Sequence, residues 1–143
     1  MTMLTLDIAN KIASAAIAEA RKMKLKPITV VVMDARAAVV ALQAEDGVCL
    51  MRADIAKGKA NAAIQLGMGS RALMVRAEQQ AYFVNAVVDV AAGGIVPVPG
   101  GVLIRDKANT IIGAVGISGD TSDNDEKAAI AAITLAGLAA DGG

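Results

Sequence analysis

The sequence predicts an α+β protein, one domain over residues 1–143, with helices packed on an antiparallel sheet. Three observations predict it. Apolar residues recur every four positions near the start, at Ile8, Ile12, Ala16 and Ala20. β-Branched stretches come in hairpin-like pairs, 28–33 with 38–43 and 102–105 with 110–117. The remaining helical stretches are grouped between and after those pairs rather than alternating with single strands, and no internal repeat, linker or low-complexity tract interrupts the order.

Thr5 is placed to cap the first helix, with Asp7 in its first turn, and Pro27 ends it after the basic group Arg21, Lys22, Lys24 and Lys26. Ile28 to Met33 reads as a central strand, Asp34 to Ala37 as a turn without glycine, and Ala38 to Gln43 as the returning strand. Asp46-Gly47 makes a turn before a helix from about Met51 to Leu66, whose inward face would be Ile55, Lys59, Ala62 and Leu66. Gly67-Met68-Gly69 stops it, and Ser70 is placed to cap a helix running toward Gln80. Tyr82 to Val90 fits strand or helix equally. Gly93 to Gly101, with Pro97 and Pro99, cannot be regular helix. Strands follow at Val102 to Arg105 and Thr110 to Ile117, joined by a turn at Asp106 to Asn109. A final helix runs from Asp123 to about Leu138, opened by a Ser122-x-x-Asp125 arrangement like a capping box, and Gly142-Gly143 reads as a frayed tail.

Composition removes several kinds of chemistry. Fourteen basic and fourteen acidic residues give zero formal net charge, which leaves no electrostatic claim on nucleic acid or an anionic membrane. Histidine is absent, so histidine-based triads, histidine-ligated zinc and a histidine base are excluded. Tyr82 and Phe83 are the only aromatic rings, too few for a base-stacking platform. The single cysteine, Cys49, cannot close an internal disulfide, and the start lacks the basic region of a secretory signal. A cytoplasmic location with no membrane span is expected. An alanine-rich chain, 55% hydrophobic with seven Met, also predicts subunit contacts.

Several side chains are candidates for function. Lys59, on an apolar helix face, would be desolvated and suited to move a proton or anchor a carboxylate; the plainer reading is a lysine whose stem covers apolar surface while its amine reaches solvent. Gly100-Gly101 and Ser118-Gly119 let backbone approach a ligand and offer N–H groups, or simply meet turn geometry. Neither lies in a phosphate-loop pattern. Asp46, Asp120, Asp123 and Asp125 are a potential carboxylate group, although capping accounts for Asp125 and the helix dipole for Asp123. No metal site is expected, because the spacing of Asp120, Ser122 and Asn124 lacks the Gly and distal Glu of a calcium loop. Cys49 reads as a small hydrophobe, and Tyr82 as a packing residue or ligand contact.

The pattern Gly100-Gly101, Ile104-Arg105, Ile112-Gly113-Ala114-Val115-Gly116-Ile117-Ser118-Gly119 and Asp125-Glu126 resembles the GlcG/HbpS-like family. Leu4-Thr5-Leu6, Val31-Val32-Met33-Asp34, Asp46-Gly47 and Ile55-Ala56-Lys57-Gly58-Lys59-Ala60 agree, so the resemblance spans essentially the whole chain. It implies a profilin- or PAS-like fold with a five-stranded antiparallel sheet flanked by helices, and assembly with itself into dimers or octamers. It also implies association with haem, cobalamin or a small catabolic intermediate. The chain departs from the family pattern at Ala37, Leu103, Arg52, Ala62 and Asp120. The expected function is therefore an oligomeric small-molecule-binding protein tied to a catabolic pathway. One alternative is an enzyme of proton transfer, an isomerase or hydrolytic deaminase on a small carboxylated intermediate. There Lys59 and Asp46 would act as acid and base, Arg52 or Arg105 would grip the carboxylate, and Gly101 or Ser118 N–H groups would hold an oxyanion. Tetrapyrrole binding and a purely structural subunit are the others. No cofactor is predicted: with no His, one Cys and one Tyr, specific haem binding is not expected under reducing conditions.

Overall fold

The computed structural model describes residues 3–143. Helix α1 (Leu6–Lys22) begins at Thr5, whose hydroxyl accepts from the Ile8 amide at 3.2 Å. Its apolar face buries Ala9, Ile12, Ala13, Ala16 and Ala20. β1 (Thr29–Asp34) and β2 (Val39–Ala44) form the first hairpin, α2 (Arg52–Leu66), α3 (Ser70–Gln79) and α4 (Ala81–Val90) follow, and β3 (Gly101–Arg105) and β4 (Ile111–Ser118) form the second hairpin. Helix α5 (Ser122–Leu135) and a short β5 (Ala139–Asp141) complete the order. All pairings are antiparallel, in the order β2-β1-β4-β3-β5.

The alternation of side chains along β1 and β4 decides which helix goes where. Val30, Val32, Val115 and Ile117 point to one face and are covered by α1 and α5. Val31, Met33, Leu103 and Ala114 point to the other and are covered by Ala56, Ala60 and Ala63 of α2. On that second face the half of β4 toward its end carries only small residues, Ala114, Gly116 and Ser118. A Cβ on Gly116 would run into the Ala56 carbonyl oxygen, so the glycine is what lets α2 lie directly on the strand. Helices α3 and α4 form an outer layer with the far side of α2, through Ala62, Leu73, Val84 and Ile95.

One open reading is resolved and four sequence expectations are corrected. Tyr82 to Val90 is helix. The last helix stops at Leu135, because Gly137 turns left-handed (φ 79°) and the chain returns as β5 beside β3. Its N-cap is Thr121, which accepts from the Asn124 amide, so Asp125 is not a capping residue. Ser70 does not cap α3; Gly69 occupies that position and the Ser70 hydroxyl accepts from the Gly101 amide at 2.7 Å. The terminal glycines are not frayed: the Gly142 carbonyl accepts from the Arg71 amide at 3.2 Å, and the Arg71 side chain pairs with Asp123 and Glu126.

Candidate functional site

At the end of the sheet where β1 begins and β4 finishes, the face under α2 turns polar. Thr29 and Ser118 are directly opposite each other in the β1–β4 register, both fully buried. Arg52, the first residue of α2, is half-buried and donates from Nη1 to the Ser118 hydroxyl at 3.1 Å. It has no carboxylate partner among the described residues, whereas Arg21, Arg36, Arg71 and Arg105 do; Arg76, the other arginine without one, donates to the Gln80 side chain and lies over the Phe83 ring. The Thr29 hydroxyl is buried without a hydrogen-bond partner, which normally costs about 1–3 kcal/mol.

Two turns along the same helix, Lys59 is only 2% exposed and does not reach solvent. Its amine donates to the Ile117 carbonyl at 2.9 Å and to Asp125 Oδ2 at 3.2 Å. Asp125, 1% exposed, also accepts from the Asp120 amide at 3.0 Å. Burial pushes the Lys59 amine below its ordinary pKa, opposed by the Asp125 charge and helped by that of Arg52. Burial pushes the Asp125 carboxyl up, opposed by Lys59 and by the backbone amides of Asp120 and Gly119. The pair thus ties α2, β4 and α5 together, and removing one partner of such a pair costs about 3–5 kcal/mol. Asp120 steadies the same loop from outside. Its carboxylate accepts from the Asn124 side chain and the Lys26 and Thr121 amides, which hold its pKa down to about 2.

The other sequence candidates fall elsewhere or are already engaged. Gly100 and Gly101 lie against Lys59: a Cβ on Gly101 would collide with the Lys59 carbonyl, and one on Gly100 would press on its amine. Close packing of α2 on β3 accounts for both, and the Gly101 amide is taken by Ser70. Arg105, at the far end of β3, is held by Asp141 at 3.0 Å and by the Asn109 carbonyl at 3.1 Å. Asp46 is exposed in the β2–α2 loop, and Tyr82, 73% exposed, opens α4 on the outer layer. The structure therefore brings Lys59, Arg52 and Ser118 together and leaves Asp46, Tyr82 and Arg105 outside. Sequence reasoning weighed Asp125 as one of four carboxylates and as a cap, not as the partner of Lys59, and missed Thr29. A lysine on an apolar face does call for a buried carboxylate, but only the fold says which one.

A cavity of about 530 Å³ lies at the opposite end of the sheet, lined by Met3, Leu4, Asp34, Arg36, Thr110 and Ile112 among others. The length of β4 separates it from Ser118 by roughly 20 Å. Its one cation, Arg36, is bound to Asp34 at 2.8 Å, so this cavity presents no unpaired cation. Among the described residues no three His, Cys, Asp or Glu side chains gather as a metal set. The donors present do not fit an enclosed haem: there is no histidine, Cys49 and Tyr82 are exposed, and the buried Lys59 amine is committed to Ile117 and Asp125. No helix is long and apolar enough to cross a membrane among those residues.

Residues 4–134 match a family model described as "Haem degrading protein HbpS-like". Among solved structures, HbpS is 26% identical, with a TM-score of 0.82 over 94% of this chain and 91% of that one. A double mutant of HbpS from Streptomyces reticuli gives the same identity and score, over 94% and 88%. The ORFY protein of Klebsiella pneumoniae is 24% identical, with a TM-score of 0.83 over 96% and 93%. A haem complex of PduOC is 21% identical, with a TM-score of 0.85 over 96% and 97%. Comparison with curated proteins gives no match.

Proposed function

Because the chain belongs to the HbpS-like family, we propose that it is a small-molecule-binding protein whose ligand presents a carboxylate to Arg52. The observation that carries this reading is the Arg52 guanidinium: half-buried, aimed by Ser118, and without a carboxylate of its own. A planar fork in that state matches a carboxylate with two parallel hydrogen bonds. The unpartnered Thr29 hydroxyl beside Ser118 supports it, being a polar group with hydrogen-bonding capacity to spare. Lys59 supports binding from behind rather than proton transfer, since its amine is enclosed and committed.

Self-association belongs to the same proposal. Leu50, Val90 and Tyr82 are 95%, 85% and 73% exposed, apolar surface that a second copy would cover. The lone thiol, Cys49, suits a reducing compartment, and the resemblance to the GlcG/HbpS-like family, which implies association with a small catabolic intermediate, is what links the chain to catabolism. Titration with malonate and acetate tests the site. The parent should give a saturable response, and Arg52→Ala should lose about 1.5–3 kcal/mol of binding. Equal affinity in the two proteins would remove Arg52 from the reading.

Tetrapyrrole binding is the second reading, supported by the family description and by the haem complex of PduOC. In this chain Arg52 would hold a propionate without an enclosed ligand for the iron. Haemin and iron-free protoporphyrin should then bind alike, with no sharp stoichiometric Soret shift. A sharp shift lost on mutating Tyr82 or Cys49 would overturn that expectation.

A further inference from the structure

The anion site rests on Arg52 having no carboxylate of its own, yet a buried carboxylate lies close behind it. The Lys59 and Arg52 side chains start two turns apart on α2 and end on adjacent residues of β4, at the Ile117 carbonyl and the Ser118 hydroxyl. Asp125 meets the first of those two cations at 3.2 Å. Lys59 and Asp125 cancel each other's charge, so the positive charge of Arg52 stays uncompensated. The other acid at this corner, Asp120, is occupied by the Lys26 and Thr121 amides and the Asn124 side chain.

We propose that Lys59 is a positioning residue that, by holding Asp125, keeps Arg52 unpaired and available to an anion. The proposal rests on the reading of Arg52 as the anion-binding group. Without Lys59, Asp125 would be a buried carboxylate with backbone amides as its only partners. An unpaired buried charge is strongly destabilising, which favours a cation within reach as its partner. Arg52 is the cation whose tip ends one residue away on β4, and turning to Asp125 would take it from Ser118 and from any ligand. A lysine that served only as a structural tie would leave Arg52 where it is.

The experiment compares the parent, Lys59→Met, and Lys59→Met with Asp125→Asn. Each is followed by the Arg52 side-chain N–H resonances without ligand and by malonate titration. Lys59→Met should move the Arg52 resonances and weaken malonate binding by about tenfold or more. Adding Asp125→Asn removes the competing charge, and should return the resonances toward the parent's and affinity to within about threefold of it. A folded Lys59→Met protein with parental resonances and affinity would overturn the proposal, as would a double variant no better than the single. If circular dichroism shows Lys59→Met unfolded, the double variant decides. Parental binding there supports the proposal and lost binding overturns it. Failure of the anion reading looks different: parent and Arg52→Ala would be equally indifferent to malonate, while the Arg52 resonances still report whether it turns to Asp125.

Discussion

Ala37 stands in the β1–β2 turn at φ 61°, a left-handed conformation that its Cβ disfavours. The turn holds because the Asp34 carbonyl accepts from the Ala37 amide at 3.0 Å, and the Asp34 carboxylate accepts from Arg36 and Ala38 amides. Glycine would relieve the backbone but lose more freedom on folding, so Ala37→Gly should stabilise by up to about 1 kcal/mol net. Chemical denaturation checks this, and a loss of stability would mean that the Ala37 methyl packs more than it strains. The departure from the family pattern at Ala37 was visible in the sequence; the strain was not, because it depends on a backbone angle. Asp120 is a similar case. It too departs from the family pattern, and only the structure shows its carboxylate joining the start of α5 to Lys26 ahead of β1.

At the scale of the element, helix α2 is the one whose packing decides the site. Its sheet-facing side is Ala56, Ala60 and Ala63, with Arg52 and Lys59 at the same interface. The helix approaches β4 closely enough that backbone meets backbone at Gly116. Gly116→Ala should therefore force α2 outward and cost about 3 kcal/mol or more. Thermal unfolding measures the loss, and malonate binding should fall in parallel because Arg52 and Ser118 belong to the two elements pushed apart. An unchanged melting temperature would contradict the close approach. The sequence signalled α2 itself, its boundaries within a residue, and Lys59 on its inner side. It placed Ile55 and Leu66 there too, although both are half-buried and the contact is made by alanines. Periodicity marks a face approximately, whereas contact with a glycine-bearing strand selects which residues on it are buried.

For the whole molecule, the prediction is assembly: light scattering or sedimentation at micromolar concentration should find species larger than one chain, and Val90→Lys should shift that distribution toward monomer. A parent that is monomeric throughout would remove self-association from the proposed function. The α+β class, the two hairpins, four helices and the irregular 93–101 segment were all readable from the chain, because apolar periodicity and turn residues are local signals. Lys59 was readable as a candidate because a lysine on an apolar helix face is unusual locally. Arg52 was named only beside Arg105 as a carboxylate grip, and Ser118 for its backbone N–H, whereas in the structure its hydroxyl meets Arg52. Tyr82 to Val90 was not readable, since a short apolar run suits either a strand or a helix until its neighbours are known. Nor was β5, three residues whose strand identity comes entirely from pairing with β3. The sequence by itself determined the elements other than α4 and β5, and the absence of histidine chemistry. Only the tertiary structure decided that Asp125 answers Lys59 across 66 positions, that Thr29 lies opposite Ser118, and that Arg105 is paired while Arg52 is not. The physical reason is that a buried charge specifies that it needs a partner, while which partner it meets is fixed by how separate elements pack.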